Sequence, residues 1–164
     1  MLAVLDLSNQ LGKLGEGLAG HAGLTTQQWL VLLQVAGDPN FQRPFGRGAL
    51  STGAVLGSEI AEARGVSRAS VSTLVAQLLA KGLVRQQPET GDRRRKGLSI
   101  TAKGRAALAR LAASRRRANR TLLVELSQRE RAGFLRSLRA CLRCAAASVA
   151  SAPGPRVSTF VPGG

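Results

Sequence analysis

From Val71 onward, apolar residues fall at Val71, Leu74, Val75, Leu78 and Leu79, a spacing of i, i+3, i+4, i+7 and i+8 that lines one side of an α-helix. Ser67 stands where an N-cap belongs, and Lys81-Gly82 closes the other end with a glycine free to turn left-handed. Off the stripe lie Ala69, Thr73, Ala76 and Gln77, flanked by Ser70 and Ser72, with Arg68 at the N-terminal shoulder. These side chains are short and mostly uncharged, so the helix can enter a nucleic-acid groove without setting an acid against phosphate. The period then changes. Leu83 to Gln87 predicts a short strand and Leu98 to Thr101 a second, joined by the turn formers Pro88-Glu89-Thr90-Gly91-Asp92. Glu59-Ile60-Ala61-Glu62 predicts a short helix upstream. Short helix, turn, amphipathic helix and hairpin, in that order, make a winged helix-turn-helix, which predicts contact with duplex DNA.

The flanks read as dimerisation machinery. Leu7, Leu11, Leu14 and Leu18 repeat at alternating spacings of four and three, the seam of a helix that packs along another. Gly12, Gly15, Gly17 and Gly20 weaken that helix, so it needs tertiary support. Ala102 to about Glu125 predicts a long helix capped by Thr101, with Ala106, Leu108, Leu111 and Ala112 on its apolar side and its Arg-rich middle outward. Ser127 with Glu130 makes a capping box for a last helix, whose stripe is Phe134, Leu135, Leu138, Cys141, Leu142 and Ala145. The Gly-rich segment Gly37 to Gly57, carrying Phe41, Arg43, Pro44, Phe45 and Arg47, is expected to be a surface loop, with the two Phe as candidates to cover a pocket. The expected organisation is one domain over 1–148, with a DNA-binding lobe at about 52–104 and dimerisation helices at about 3–20 and 105–148. Residues 149–164 read as a disordered tail in which Val157, Phe160 and Val161 are the docking candidates. The fold class is therefore mainly α with a small β-hairpin wing.

Charge sharpens this picture. Positions 67 to 120 carry fourteen Lys and Arg against Glu89 and Asp92, a net +12 of the chain's +15 in one third of its length. Clustering of this kind is the electrostatic footprint of a nucleic-acid binder. The run Arg93-Arg94-Arg95-Lys96 at the hairpin tip repels itself unless a polyanion lies alongside, and Asp92 can hold Arg94 in one orientation. Arg115-Arg116-Arg117 belongs to no motif; it reads as part of the same footprint, with a solvated face as the lesser alternative.

Four pieces, in order, resemble the MarR type, the multiple-antibiotic-resistance regulators of bacteria. Leu24 to Leu32 looks like the opening of that family's helix 2, Glu59 to Glu62 like helix 3, and Gly65 to Ser72 like the start of its recognition helix. Lys81-Gly82-Leu83-Val84 through Asp92-Arg93-Arg94 to Leu98-Ser99-Ile100-Thr101-Ala102-Lys103-Gly104 is similar to its wing with an Asp-x-Arg motif, and the likeness spans roughly residues 5 to 148. Thr73 departs from it, standing where the family often has Arg, and the Gly37 to Gly57 segment is longer than the family leads one to expect. The resemblance implies a homodimer whose first and last helices intertwine, and a pseudo-palindromic double-stranded operator. It also implies a repressor released by a small, often aromatic anion bound between the winged unit and the dimer helices. Ser67, Arg68, Ala69, Ser70, Ser72, Thr73 and Gln77 are the candidates for the major groove and its phosphates, and Asp92, Arg93, Arg94, Arg95 and Lys96 for the minor groove. Trp29 and His21 are the candidates for the ligand.

Cys141 and Cys144 sit three apart on the last helix. They read as packing residues, since mid-helix thiols lack the electropositive helix start that lowers a pKa, with redox sensing as the alternative. His21 is the single histidine, and no catalytic set, phosphate loop or metal cluster can be assembled, so neither an enzyme nor a cofactor is expected. Nothing apolar is long enough to span a bilayer, and residues 1–6 do not resemble a signal peptide, so a cytoplasmic protein is expected. The competing function is a winged-helix module that binds nucleic acid without sequence preference, or binds protein, and answers to no effector.

Overall fold

The computed structural model describes residues 2–39, 54–89 and 92–151. Phe41, Arg43, Pro44, Phe45 and Arg47 of the long loop, Thr90 and Gly91 of the hairpin, and Val157, Phe160 and Val161 of the tail lie outside them. The order of elements is α1 (Leu2–Gly20), α2 (Thr26–Val35), β1 (Val55–Leu56), α3 (Gly57–Arg64), α4 (Arg68–Ala80), β2 (Val84–Glu89), β3 (Asp92–Ile100), α5 (Ala102–Leu122) and α6 (Gln128–Ser151). The chain divides into two units, residues 1–124 and 125–164.

Local chemistry sets most of the boundaries in the first unit. Thr25 and Gln28 form a capping box at α2: Thr25 Oγ1 accepts from the Gln28 N–H and Gln28 Oε1 accepts from the Thr25 N–H, both at 3.2 Å. The Glu59 carboxylate takes the Leu56 N–H at 3.0 Å and starts α3. Gly65, at φ 62, ends it left-handed, and Gly82, at φ 68, follows α4 in the same way. The helices pack around Leu32, Ile60, Leu78, Leu98 and Leu111, all buried, with Val31, Val71, Val75 and Ala107 between them. Burying each of the larger side chains stabilises the fold by about 1.5–3 kcal/mol.

The stripe expected on α4 is inside: Val71, Val75 and Leu78 are buried, and Leu74 and Leu79 pack at the margin. On α5 the stripe is shifted. Gly104, Ala107 and Leu111 are buried, whereas Ala106, expected on the apolar side, is exposed, and the helix ends at Leu122 rather than near Glu125. On α1 the buried positions are Gly15 and Ala19. Leu7, Leu11 and Leu14 face solvent along with Leu2, Val4 and Leu5. Gly15 is there for contact, because a Cβ would stand 2.9 Å from Thr26 Oγ1.

The wing is a three-stranded antiparallel sheet of order β1-β3-β2 rather than a bare hairpin. The third strand, Val55–Leu56, comes from the end of the segment expected to be loop, and both its residues are buried. Val55 pairs with Leu98 and Leu56 with Gly97. A second correction concerns length: β2 runs to Glu89 and β3 starts at Asp92, so the basic residues expected at a turn lie within a strand. At Gly97 a Cβ would fall 2.3 Å from the Cβ of Ala54, so only glycine lets β1 lie this close. Gly97→Ala is expected to cost about 1–3 kcal/mol by overpacking. Faster amide exchange at Val55 and Leu56, with α4 unaffected, would register it.

The second unit is built on α6. Ser127 and Glu130 form the expected capping box: Glu130 Oε2 accepts from the Ser127 N–H at 2.8 Å and Ser127 Oγ accepts from the Glu130 N–H at 3.4 Å. Hydrogen bonds from Ser127 hold the Glu130 carboxyl below its ordinary value. A lowered folded pKa means the cap contributes fully above the unfolded carboxylate range and is lost as pH falls through the folded value. Phe134, Leu135, Leu138 and Leu142 leave one apolar face of α6 exposed.

Candidate nucleic-acid interface

The outer face of α4 carries the polar set that its sequence predicts. Ser67 Oγ accepts the Ser70 N–H at 3.1 Å and lies 2.8 Å from Ser70 Oγ, so the N-cap and the first turn hold each other. Ser67, Arg68, Ala69, Ser70, Ser72, Thr73 and Gln77 are all exposed on one helix and its cap. Thr73 Oγ1 donates to the Ala69 carbonyl at 3.2 Å. Its only hydroxyl hydrogen is therefore used within the helix, and what it offers outward is a methyl group and oxygen lone pairs. No acid stands on this face, so it can approach a phosphate-lined groove with little electrostatic cost.

Two side chains at the start of α2 clamp the helix pair from behind. Arg64, in the last turn of α3, donates to Gln27 Oε1, and burial pushes its guanidinium below its usual value. Gln28, buried, donates through Nε2 to Gln77 Oε1 at 2.8 Å and accepts from Lys81 Nζ at 2.9 Å. The sequence reading missed this arrangement, because its partners lie 49 and 53 residues away.

The wing sets its cations through a break in register. Val84 pairs with Ile100, and the pairing runs regularly to Pro88 with Lys96, after which Glu89 pairs with Asp92. Arg93, Arg94 and Arg95 thus fall between two paired positions, opposite a single step of β2. Pro88 is the cause in β2: it has no N–H to give the ladder, which suits it to an edge strand at a bulge. A bulge bends its strand and re-aims the extra residues. For Asp92 and for Arg93 to Arg95 the backbone alone is described, and the expected Asp92–Arg94 contact lies outside it. Lys96 is exposed, and Arg85 Nε donates to Ser99 Oγ at 3.0 Å across the strands.

A cavity of about 350 Å³ lies between α2 and α5, lined by Trp29, Leu33, Leu108, Leu111 and Ala112 among others. Asp38 and Arg115 also line it and form an ion pair at 2.8 Å. Arg115 was expected on an outward Arg-rich face and is instead half-buried against the segment after α2, while Arg116 and Arg117 are exposed. His21 does not reach this cavity. It sits exposed past the end of α1 with Nδ1 2.7 Å from the Gly17 carbonyl, so of the two ligand candidates Trp29 lines this cavity and His21 does not.

A model of the MarR family matches residues 22–95, a stretch that runs from the capped start of α2 through the recognition-type helix into the wing. Over that stretch the chain is similar to the MarR family. Among solved structures, a probable transcriptional regulator from Pseudomonas aeruginosa is 28% identical, with 85% of this chain and 93% of that one covered at a TM-score of 0.63. The DNA complex of MepR from S. aureus shares the fold at 18% identity, 87% and 93% coverage and a TM-score of 0.70. So does PcaV from Streptomyces coelicolor in complex with its natural ligand, at 22% identity, 85% and 91% coverage and a TM-score of 0.64. No curated protein matches the chain.

Cys141 and Cys144 are free and exposed on α6. No helix among the described residues is long and apolar enough to cross a membrane.

Proposed function

We propose that this chain is a MarR-type regulator: a homodimeric, sequence-specific DNA-binding protein, a repressor released by a small anionic ligand. The observation that carries the reading is the joint placement of an acid-free polar face on α4 and three arginines at a register break in β3. The face suits a major groove, and the break suits a projecting wing that follows the adjacent minor groove or its phosphates. The lobe responsible is residues 52–104, and the exposed apolar faces of α1 and α6 supply the dimer contacts. A two-fold pair of such lobes reads a pseudo-palindrome with half-sites about one helical turn apart. Footprinting on the DNA upstream of its own gene tests this directly. As salt is raised, affinity for the protected site should keep a large ratio over random duplex, whereas parallel loss of both would leave only a backbone binder.

The cavity between α2 and α5 is the effector site in this reading. Its volume suits a small one- or two-ring molecule, its walls are largely apolar, and Arg115 offers a bidentate partner for a carboxylate that replaces Asp38. Trp29 is the only tryptophan in the chain, so it reports on the site directly. Titration with a small aromatic carboxylate such as benzoate is expected to quench its fluorescence saturably. Arg115→Ala should abolish that quench and the accompanying release of DNA. An unchanged titration in the variant would remove Arg115 from the site.

A further inference from the structure

The start of α2 sets the chemical polarity of one groove-facing side chain. Gln28 Oε1 accepts from two groups that can only donate, the Thr25 backbone N–H at 3.2 Å and Lys81 Nζ at 2.9 Å. Lys81 is itself held in place by a second bond to the Gly23 carbonyl. With its oxygen so fixed, the buried Gln28 amide must direct Nε2 at its third neighbour, the amide of Gln77 2.8 Å away. Gln77 must then meet it with Oε1. The exposed end of Gln77 is consequently its Nε2, with two N–H groups and no acceptor.

From this we infer that Gln28 is a positioning residue for DNA recognition, which locks Gln77 as a donor-only contact. The inference rests on the DNA-binding reading of α4. A glutamine that is free to turn can pair with adenine, offering its oxygen to N6 and its nitrogen to N7. Gln77 cannot do so while its oxygen faces Gln28. It can donate to a phosphate oxygen, to O6 or N7 of guanine, or to O4 of thymine. Lys81, drawn inward by the same network, is kept away from the backbone that its charge would otherwise seek.

The test uses Gln28→Glu in the full-length protein, with a duplex selected from a random-sequence pool by the wild type. Glutamate has nearly the same shape and still accepts from Lys81, but it cannot donate to Gln77. The Gln77 amide then turns to donate inward and shows its carbonyl to the DNA. Affinity for the selected duplex should fall by at least about fivefold, the lower end for loss of one specific contact. In a Gln77→Leu background the same substitution should change affinity by less than about twofold, since nothing remains for it to orient. Circular dichroism melts identify variants that fail to fold, and Gln28→Met, which keeps the side chain's length and removes both polar ends, then serves in the same two backgrounds. A Gln28→Glu effect equal in the two backgrounds, or absent from both, overturns the positioning role while leaving DNA binding in place. Failure of the wild type to enrich any duplex overturns the DNA-binding reading itself, and this inference with it.

Discussion

Gly104→Ala is expected to lower the stability of the chain more than alanine at any other glycine among the described residues. Gly104 lies in the first turn of α5, where its N–H donates to Thr101 Oγ1 at 3.0 Å. A Cβ there would stand 2.2 Å from the Leu83 carbonyl oxygen and 2.8 Å from Ile100 Cγ1. Helix propensity alone favours alanine over glycine by about 1 kcal/mol. Steric cost wins here, because the nearest atom is backbone and already accepts from the Thr101 N–H at 3.1 Å, while the Thr101 hydroxyl ties down the neighbouring Gly82 carbonyl at 2.8 Å. It cannot move without breaking the junction of wing and helix. Overpacking of this kind costs about 1–3 kcal/mol, and more where the backbone is trapped. A thermal melt should fall by about 2–4 °C for each of those kcal/mol in a chain of this size. A rise in melting temperature would mean that propensity governs the site after all.

Replacing Arg93, Arg94 and Arg95 together by Gln is expected to have the largest effect on DNA binding. If the three meet phosphates or the minor groove, the plot of log affinity against log salt should flatten by about 2–3 units. Affinity near physiological salt should fall by roughly a hundredfold or more, at 1–3 kcal/mol for each ordered contact. Stability should change little, since the three fall in the register break between the pairs of Asp92 and Lys96. Arg116 and Arg117, exposed on α5, provide the control: their double Gln variant removes charge outside α4 and the wing and should flatten the slope by less. Equal slopes for the triple variant and the wild type would take the wing out of the interface.

Much of the frame was legible in the chain because it is set by neighbours in sequence. The stripe from Val71 to Leu79, the Ser67 and Thr101 caps, the turn at Gly82 and the box of Ser127 with Glu130 all follow from spacings of three and four residues, the reach of a helical turn. The arginine cluster and the absence of acids on the outer face of α4 were equally open to reading. The candidate interface was therefore visible as a set of residues.

Pairing and enclosure were not. Val55–Leu56 is too short to announce itself as a strand, and it becomes one because β3 offers an open edge and Gly97 lets it approach. Arg115 looked like one of three solvated arginines until the fold brought Asp38, 77 positions earlier, to 2.8 Å from it. Ala106 and Ala107 are indistinguishable by composition, and which one is buried depends on the rotation of α5 against the core. Which segments are helices, and that a cationic wing follows a polar helix, could be read from local spacing, since those properties arise within a turn or two of the chain. Only the tertiary structure decided that Trp29 walls a cavity with Arg115, and that Gln28 fixes which end of Gln77 faces outward. Contacts of that kind join residues tens of positions apart, and their geometry exists only once the core has packed.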